Sequence, residues 1–204
     1  MDVPGIFGRL DIYVFDQLQR GRIGPGMRIL DAGCGDGRNI EYFMRAGGYE
    51  VQGADLSADA IGQVRALAER LAPAIPATSF RQEPVEAMSF PDASVDVVIS
   101  SAVLHFARDR EHFRQMLLGS WRPLRTGGLF ICRLASAVGV EPAPRSVGDG
   151  RYQLPDGTER FLVDPALLAG HSAELGGELV DPVRTTVVHG QRAMTTWVMR
   201  RRVD

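Results

Sequence analysis

The chain has 204 residues, of which 45% are apolar and 24% are charged, and its formal net charge is −2. This balance is typical of a folded domain and excludes a disordered tail or a coiled coil. All 23 cationic residues are arginine, which excludes Schiff-base, pyridoxal-phosphate and P-loop enzymes, because each needs a lysine amine. A slightly acidic chain also argues against a nucleic-acid partner.

The two cysteines and the first residues indicate a reduced, cytoplasmic setting. Cys34 and Cys132 are isolated from each other in the sequence, so we expect neither a disulfide framework nor a metal site. Residues 1–5 carry acid and proline where a signal peptide would carry basic and apolar residues. No apolar run approaches the roughly 20 residues of a membrane span, so we expect no membrane contact. No pattern indicates an oligomeric state.

The predicted elements alternate between short apolar strands and amphipathic helices. A first helix is expected over residues 8–22. Strands are predicted near residues 27–30, 50–55, 78–81, 95–100 and 129–132, and helices near 38–46, 57–71 and 112–121. A glycine turn at residues 126–128 separates the last of these helices from the last strand. Alternation of this kind predicts a parallel α/β sheet covered on both faces.

The last third of the sequence has a different character. Residues 135–162, here called the flap, are rich in Gly, Pro and Arg and contain a hairpin signal at residues 154–157. A helix then begins at Asp164-Pro165 and runs to Gly176. Two extended runs, 179–188 and 193–199, are joined by a short turn and predict an antiparallel pair. We therefore expect one domain over residues 1–204, with five parallel strands, a terminal hairpin and the flap over the strand ends.

A glycine-rich turn follows the first strand, in the sequence Leu30-Asp31-Ala32-Gly33-Cys34-Gly35-Asp36-Gly37. Its G-x-G-x-G spacing differs from the G-x-G-x-x-G of dinucleotide folds, although a tight turn alone would also explain the glycines. Asp31 would repel a pyrophosphate and favour a sulfonium or amino group. Asp55 ends the second strand, where an acid can accept both hydroxyls of a ribose. Together these two acids suit S-adenosylmethionine.

From about Met27 to Leu134, these motifs resemble the class I S-adenosylmethionine-dependent methyltransferases. Leu30–Gly37 looks like the cofactor loop of the family, and residues 53–57 look like its ribose-binding strand end. Residues 90–98 and 122–128 resemble the entry to strand four and the turn before strand five. The resemblance implies a Rossmann-like three-layer sandwich whose seven-stranded, mostly parallel sheet has an antiparallel C-terminal strand.

Two details of the resemblance concern the residues that would bind the carboxylate and the adenine of the cofactor. Gly37-Arg38-Asn39 looks like the tellurite-resistance methyltransferases and related small-molecule enzymes, in which case Arg38 would bind the cofactor carboxylate. Pro84 stands where the family often has the Asp that reads adenine, so Glu83, Glu86 or the backbone of residues 85–86 remain as alternatives. The predicted cofactor-binding residues are Asp31, Gly33, Cys34, Gly35, Gly37, Arg38, Asn39, Asp55, Leu56, Val85, Glu86, Ser100 and Ser101.

The catalytic prediction rests on the segment after strand four. Methyl transfer is an in-line displacement, so it requires alignment, and it requires a base only when the acceptor loses a proton. His105 is the candidate general base because its ordinary pKa is ~6.5, and the alternative is a packed His against Phe106. The candidate acceptor-binding residues are Tyr13, Arg133, Tyr152, His189 and Arg192.

The sequence therefore predicts a methyltransferase that uses S-adenosylmethionine, acts on a small-molecule acceptor and releases S-adenosylhomocysteine. An alternative from another class is a non-catalytic S-adenosylmethionine sensor or partner subunit, since the turn and Asp55 allow binding without turnover. A lesser alternative is a nicotinamide-dependent oxidoreductase, which lacks its expected glycine spacing here and tolerates Asp31 poorly.

Overall fold

Five parallel strands form the centre of the computed structural model, which describes residues 2–203. They are β1 (Arg28–Ala32), β2 (Glu50–Asp55), β3 (Phe80–Gln82), β4 (Val95–Ser101) and β5 (Leu124–Ser136). In the sheet they lie in the order β3-β2-β1-β4-β5, so the strand order reverses beside β1. The carboxyl ends of β1 and β4 therefore flank the position where ligands bind in open α/β sheets.

Antiparallel strands complete one edge of this sheet. β11 (Arg192–Arg201) pairs with β5, and β10 (Arg184–Val188) pairs with β11. The short β9 (Gly177–Leu179) also pairs with β11, near its end. The predicted mostly parallel sheet with an antiparallel C-terminal strand is confirmed, with β9 as an addition.

Helices cover both faces of the sheet, as the apolar strands predicted. They are α1 (Val3–Phe7), α2 (Ile12–Gln19), α3 (Glu41–Ala46), α4 (Ala58–Leu71), α5 (Arg110–Trp121) and α6 (Pro165–Glu174). One core cluster joins α5 and α6 to one face, and a second joins α2, α3 and α4 to the other. Neighbouring residues of β1 alternate between them: Ile29 belongs to the second cluster and Leu30 to the first. Among the described residues, no helix is both long and apolar enough to cross a membrane.

Several predicted boundaries are wrong, each for a local reason. The expected helix over 8–22 is shorter, because Gly8 adopts φ 59° and the Asp11 carboxylate caps α2 by accepting from the Tyr13 N–H. The helix expected from residue 38 begins at Glu41, after the glycine turn. Residues 126–128 lie within β5, where the register against β4 shifts between the Val95 and Val97 pairs and lets residues 125–128 bulge. The run 179–188 is divided into β9 and β10 by residues 180–183.

The flap contains a second, three-stranded antiparallel sheet. Its strands are β6 (Arg145–Gly148), β7 (Arg151–Gln153) and β8 (Glu159–Phe161). Residues 154–158 join β7 to β8, at the predicted hairpin signal. The Arg160 guanidinium of β8 lies 4.9 Å from the ring centroid of Phe106, in the 3-10 turn that follows β4. The flap thus reaches the carboxyl end of the parallel sheet.

Candidate active site

The glycine turn after β1 is held against the end of β2. The N–H groups of Gly33 and Cys34 donate to the Ala54 carbonyl, at 2.8 and 2.9 Å. The Gly35 N–H donates to Asp55 Oδ2 at 2.9 Å, and the Ser57 N–H donates to Asp55 Oδ1 at 2.9 Å. The Asp55 carboxylate is therefore fixed between the turn and the start of α4.

A cavity of about 480 Å³ opens beside this turn, and we call it the glycine-turn cavity. Six predicted cofactor residues line it: Gly33, Gly35, Asp55, Leu56, Val85 and Glu86. The rest of the lining was not predicted to contact a cofactor, and it consists of Pro84, Ala102, Val103, Phe106, Arg108, His112 and Met116. For His112 and Met116 a signal was present, because their spacing of four places them on one face of α5.

Asp31 lies in β1 just before the turn and is completely buried. Among residues 2–203, neither of its carboxylate oxygens has a hydrogen-bond partner. Burial raises the pKa of Asp31 well above its ordinary value, the positive charge of Arg38 opposes this, and Asp55 adds to it. A buried acid without a partner is costly, so this position favours a ligand that brings a positive charge or a donor. S-adenosylmethionine fits this requirement.

The two glutamates left open as adenine readers differ in the structure. Both oxygens of Glu83 bind Ser89, with Oε2 accepting from its N–H at 2.8 Å and Oε1 from its hydroxyl at 2.5 Å. Glu86 lines the glycine-turn cavity, and its Oε1 lies 3.1 Å from Nε2 of His112. Of the two side chains, Glu86 is the one that lines the cavity, and its contact with adenine stays a prediction.

Three other predicted cofactor residues converge on Asp11, which the sequence analysis missed. Arg38 Nη2 and Ser101 Oγ each lie 3.4 Å from Asp11 Oδ2, and Asn39 Oδ1 accepts from the Asp11 N–H at 3.3 Å. An acid just before an apolar helical pattern was the available signal, but it identifies a helix cap and not a site.

The remaining predicted cofactor residues contribute to packing. Cys34 and Ser100 are buried, and a side chain at Gly37 would meet Val64 of α4 at 2.7 Å. Gly37 therefore allows the turn to approach α4 closely. Direct cofactor contact by these three residues stays a prediction.

A second cavity of about 390 Å³ lies beneath the flap, and we call it the flap cavity. Of the predicted residues, His105, Arg133 and Arg192 line it. The flap contributes Leu154, Asp156, Thr158 and Arg160 from the β7–β8 hairpin. Ala102 lines both the flap cavity and the glycine-turn cavity, so the two cavities meet at the residue just after β4.

His105 is buried in the wall of the flap cavity, with 7% of its surface exposed. Its Nδ1 accepts the Ala135 N–H at 3.2 Å. Burial, together with the nearby positive charges of Arg160 and Arg133, lowers the pKa of His105 to about 4. The ring is therefore neutral near pH 7 and carries its proton on Nε2.

Of the other predicted acceptor residues, two line the flap cavity and three do not. Arg133 has its Nη1 3.6 Å from Asp11 Oδ2 and its Cζ 5.8 Å from the ring centroid of Tyr13. The Tyr13 hydroxyl bonds Thr186 Oγ1 at 2.7 Å. Tyr152 packs against the small apolar cluster under the flap, and His189 is exposed in the β10–β11 turn. Arg133 and Arg192 thus reach the cavity, while Tyr13 lies beside Arg133.

Known proteins share both the sequence pattern and the fold. The methyltransferase domain profile matches residues 30–132. A 2-methyl-6-phytyl-1,4-hydroquinone methyltransferase of Synechocystis is 33% identical over 107 residues, which cover 52% of this chain and 31% of that protein. The chain spans less than half the length of the curated relatives it matches.

Solved structures agree with this at the level of the fold. A SAM-dependent methyltransferase of Methanosarcina mazei superposes with a TM-score of 0.73 at 18% identity, over 92% of this chain and 98% of that one. A 1,6-didemethyltoxoflavin-N1-methyltransferase of Burkholderia thailandensis, solved with S-adenosylhomocysteine, gives a TM-score of 0.71 at 20% identity, over 99% and 82%. The predicted Rossmann-like sandwich is confirmed. Because the profile matches about half of the sequence, this chain belongs to the family of S-adenosylmethionine-dependent methyltransferase domains.

Proposed function

We propose that the protein transfers a methyl group from S-adenosylmethionine to a small-molecule acceptor and releases S-adenosylhomocysteine. The observation that carries this proposal is the pair of cavities that meet at Ala102. One cavity adjoins a glycine turn with an unpartnered buried acid, and the other lies under the flap. The small acceptor is supported by the similarity to methyltransferases named for a phytylhydroquinone and a toxoflavin precursor.

Within the glycine-turn cavity, each residue has a distinct role in the proposal. Asp31 would hold the cationic methionine end of the cofactor, and Asp55 would accept from the ribose hydroxyls. Leu56 and Phe106 are 71% and 59% exposed, and they would flank the adenine, with Glu86 at its edge. Bound S-adenosylmethionine supplies a methyl carbon activated by the adjacent sulfonium. A lone pair of the acceptor forms the new bond as the carbon–sulfur bond breaks and its electron pair stays on sulfur.

The chain contributes alignment and exclusion of water, which can supply several kcal/mol of a displacement barrier. Phe106 and Arg160 bring the flap against the end of β4. We propose that His105 orients the acceptor through its Nε2–H, since its Nδ1 lone pair is already bonded to Ala135. This role differs from the general base predicted from the sequence, because a base needs a free lone pair.

Titration calorimetry with S-adenosylmethionine, S-adenosylhomocysteine and NADH tests the cofactor assignment. We expect both S-adenosyl compounds to bind. Asp55→Ala should weaken their binding by about 100-fold, since it removes charge-assisted hydrogen bonds, each of which contributes about 1.5–3 kcal/mol. Asp59→Ala, an exposed acid in the first turn of α4, is the matched control. Binding of NADH alone would support the oxidoreductase instead.

Turnover needs a second experiment with a methyl-labelled donor. The acceptors to test are phenols, thiols, amines, carboxylic acids and chalcogen oxyanions. Transfer of label to one class supports the proposal and identifies the acceptor atom. Tight cofactor binding with no transfer to any class would favour the sensor or partner subunit.

A further inference from the structure

The flap cavity carries an excess of positive charge. Arg133, Arg160 and Arg192 line it, and Asp156 is the one acid among its described lining residues. Arg133 has Asp11 as a neighbour at 3.6 Å. In the described part of the chain, neither Arg160 nor Arg192 forms an ion pair within 4.0 Å. Hydrogen bonds from Thr158 are the main cause of the lowered pKa of Asp156, and the positive charges of Arg160 and Arg192 add to it. Two guanidinium groups therefore face the cavity with one acid shared between them.

A neutral hydrogen-bond donor, the Nε2–H of His105, accompanies these charges in the flap cavity. The neutral His105 ring carries its proton on Nε2, because Nδ1 accepts from the Ala135 backbone. The hydroxyls of Thr158 and Thr186 also line the cavity, but the first donates to Asp156 Oδ1 and the second bonds the Tyr13 hydroxyl, each at 2.7 Å. Arginine and an Nε2–H donate and do not accept, so the complementary ligand is one rich in acceptor oxygens.

Apolar side chains complete the wall of the flap cavity. They come from β5, β10, β11 and the flap hairpin, and they are Ala135, Leu154, Val188, Ala193 and Met194. A volume of about 390 Å³ is within the range of small-molecule sites. The cavity thus combines an apolar body with a cationic end at Arg160 and Arg192.

We propose that the methyl acceptor is an anionic small molecule, with a carboxylate or phosphate group bound by Arg160 and Arg192 and an apolar body under the flap. The reacting atom would then point toward Ala102, where the flap cavity meets the glycine-turn cavity. This inference rests on the proposed function and narrows its acceptor. Guanidinium groups suit both anions, because each presents oxygens in a geometry that matches the two parallel N–H donors.

The first test uses the native chain loaded with S-adenosylhomocysteine and three probes of similar shape: benzoate, phenyl phosphate and the neutral benzamide. We expect at least one anion to bind about tenfold more tightly than benzamide, and to bind more weakly as salt is added. Comparing the affinities for benzoate and phenyl phosphate shows whether the site prefers a carboxylate or a phosphate. Equal affinity for benzamide, or no binding of either anion at millimolar concentration, would overturn the inference.

The second test removes the positive charges of Arg160 and Arg192 by substituting each arginine with glutamine. Arg160→Gln and Arg192→Gln should each weaken binding of the preferred anion by about tenfold, equal to about 1.4 kcal/mol. Arg192→Gln should leave S-adenosylhomocysteine binding unchanged, because Arg192 lines the flap cavity and not the glycine-turn cavity. Arg70→Gln is the matched control, since Arg70 is exposed in the last turn of α4, a helix that packs beside β2 and β3 at the opposite edge of the sheet. Melting curves of each variant verify the fold.

The outcomes separate the two proposals. If the native chain fails to bind S-adenosylhomocysteine, the proposed function is contradicted. If it binds that product but the double variant R160Q/R192Q keeps the native affinity for benzoate and phenyl phosphate, the anionic acceptor alone is contradicted.

Discussion

At Asp31, the requirements of ligand binding and of stability oppose each other. The side chain is completely buried and its oxygens find no partner among residues 2–203, which costs free energy in the unliganded protein. Because its pKa is raised in the folded state, this cost is greatest above the folded pKa and falls as the pH drops from there toward the ordinary pKa of an aspartate. The acid is explained if a cationic ligand supplies the missing partner.

Asp31→Asn should therefore stabilise the unliganded protein and weaken its binding of the cofactor. We expect the free energy of unfolding at pH 7 to rise by about 1–3 kcal/mol, because the amide does not ionise and so does not carry the cost of the raised pKa. Urea unfolding and calorimetry with S-adenosylmethionine measure the two effects. Asp36→Asn is the control in the same turn, since Asp36 is partly exposed and pairs with Arg9. A loss of stability in Asp31→Asn would contradict this account.

His105 should make stability depend on pH. Its pKa is about 4 in the folded protein and about 6.5 when unfolded, so the unfolded chain binds more protons between these values. The free energy of unfolding is unaffected by His105 above pH 6.5 and falls as the pH drops from 6.5 to 4, by up to about 3 kcal/mol. Urea unfolding at a series of pH values measures this slope.

The variant His105→Gln keeps an acceptor for the Ala135 N–H and cannot titrate, so its slope over the same pH range should be flatter. His189→Asn is the matched control, because His189 is exposed in the β10–β11 turn, where its φ of 51° suits Asn. Identical slopes for the native chain and His105→Gln would exclude the buried neutral imidazole.

At the scale of elements, the glycine turn depends on close packing against α4. Gly37 has a φ of 86°, and a methyl group there would lie 2.7 Å from Val64 and 3.0 Å from Leu67. Gly47 has a φ of 67° but open space around it. Gly47→Ala should cost only the backbone strain, about 1–3 kcal/mol, while Gly37→Ala should cost about 1–3 kcal/mol more for overpacking. Equal losses in urea unfolding would contradict this packing role.

The elements that the sequence predicted well are those with a strong local signal. β2 has its predicted bounds, and Ser57 caps α4 by accepting from the Ala60 N–H. The helix expected over 8–22 and the turn at 126–128 were wrong because a local pattern does not record a capping acid at residue 11 or a bulge against a neighbouring strand. The division of 179–188 has a visible signal in retrospect, since Pro182 interrupts the run.

At the scale of the whole molecule, the site depends on contacts between distant segments. Asp11, Arg38, Ser101 and Arg133 come from four separate segments and meet around one carboxylate. The motifs predicted the glycine turn and Asp55, because cofactor loops carry a fixed spacing. They did not predict Asp11, which meets Arg38 and Ser101 only in the tertiary fold, or Asp156, which reaches the flap cavity only there.

The meeting of the two cavities at Ala102 has a consequence for the order of kinetic events. The exposed Leu56 lines the glycine-turn cavity and not the flap cavity, while the exposed Arg192 lines the flap cavity and not the glycine-turn cavity. Donor and acceptor would thus enter through separate mouths, and neither would trap the other. Steady-state rates should then follow random formation of a ternary complex, in which either product departs first.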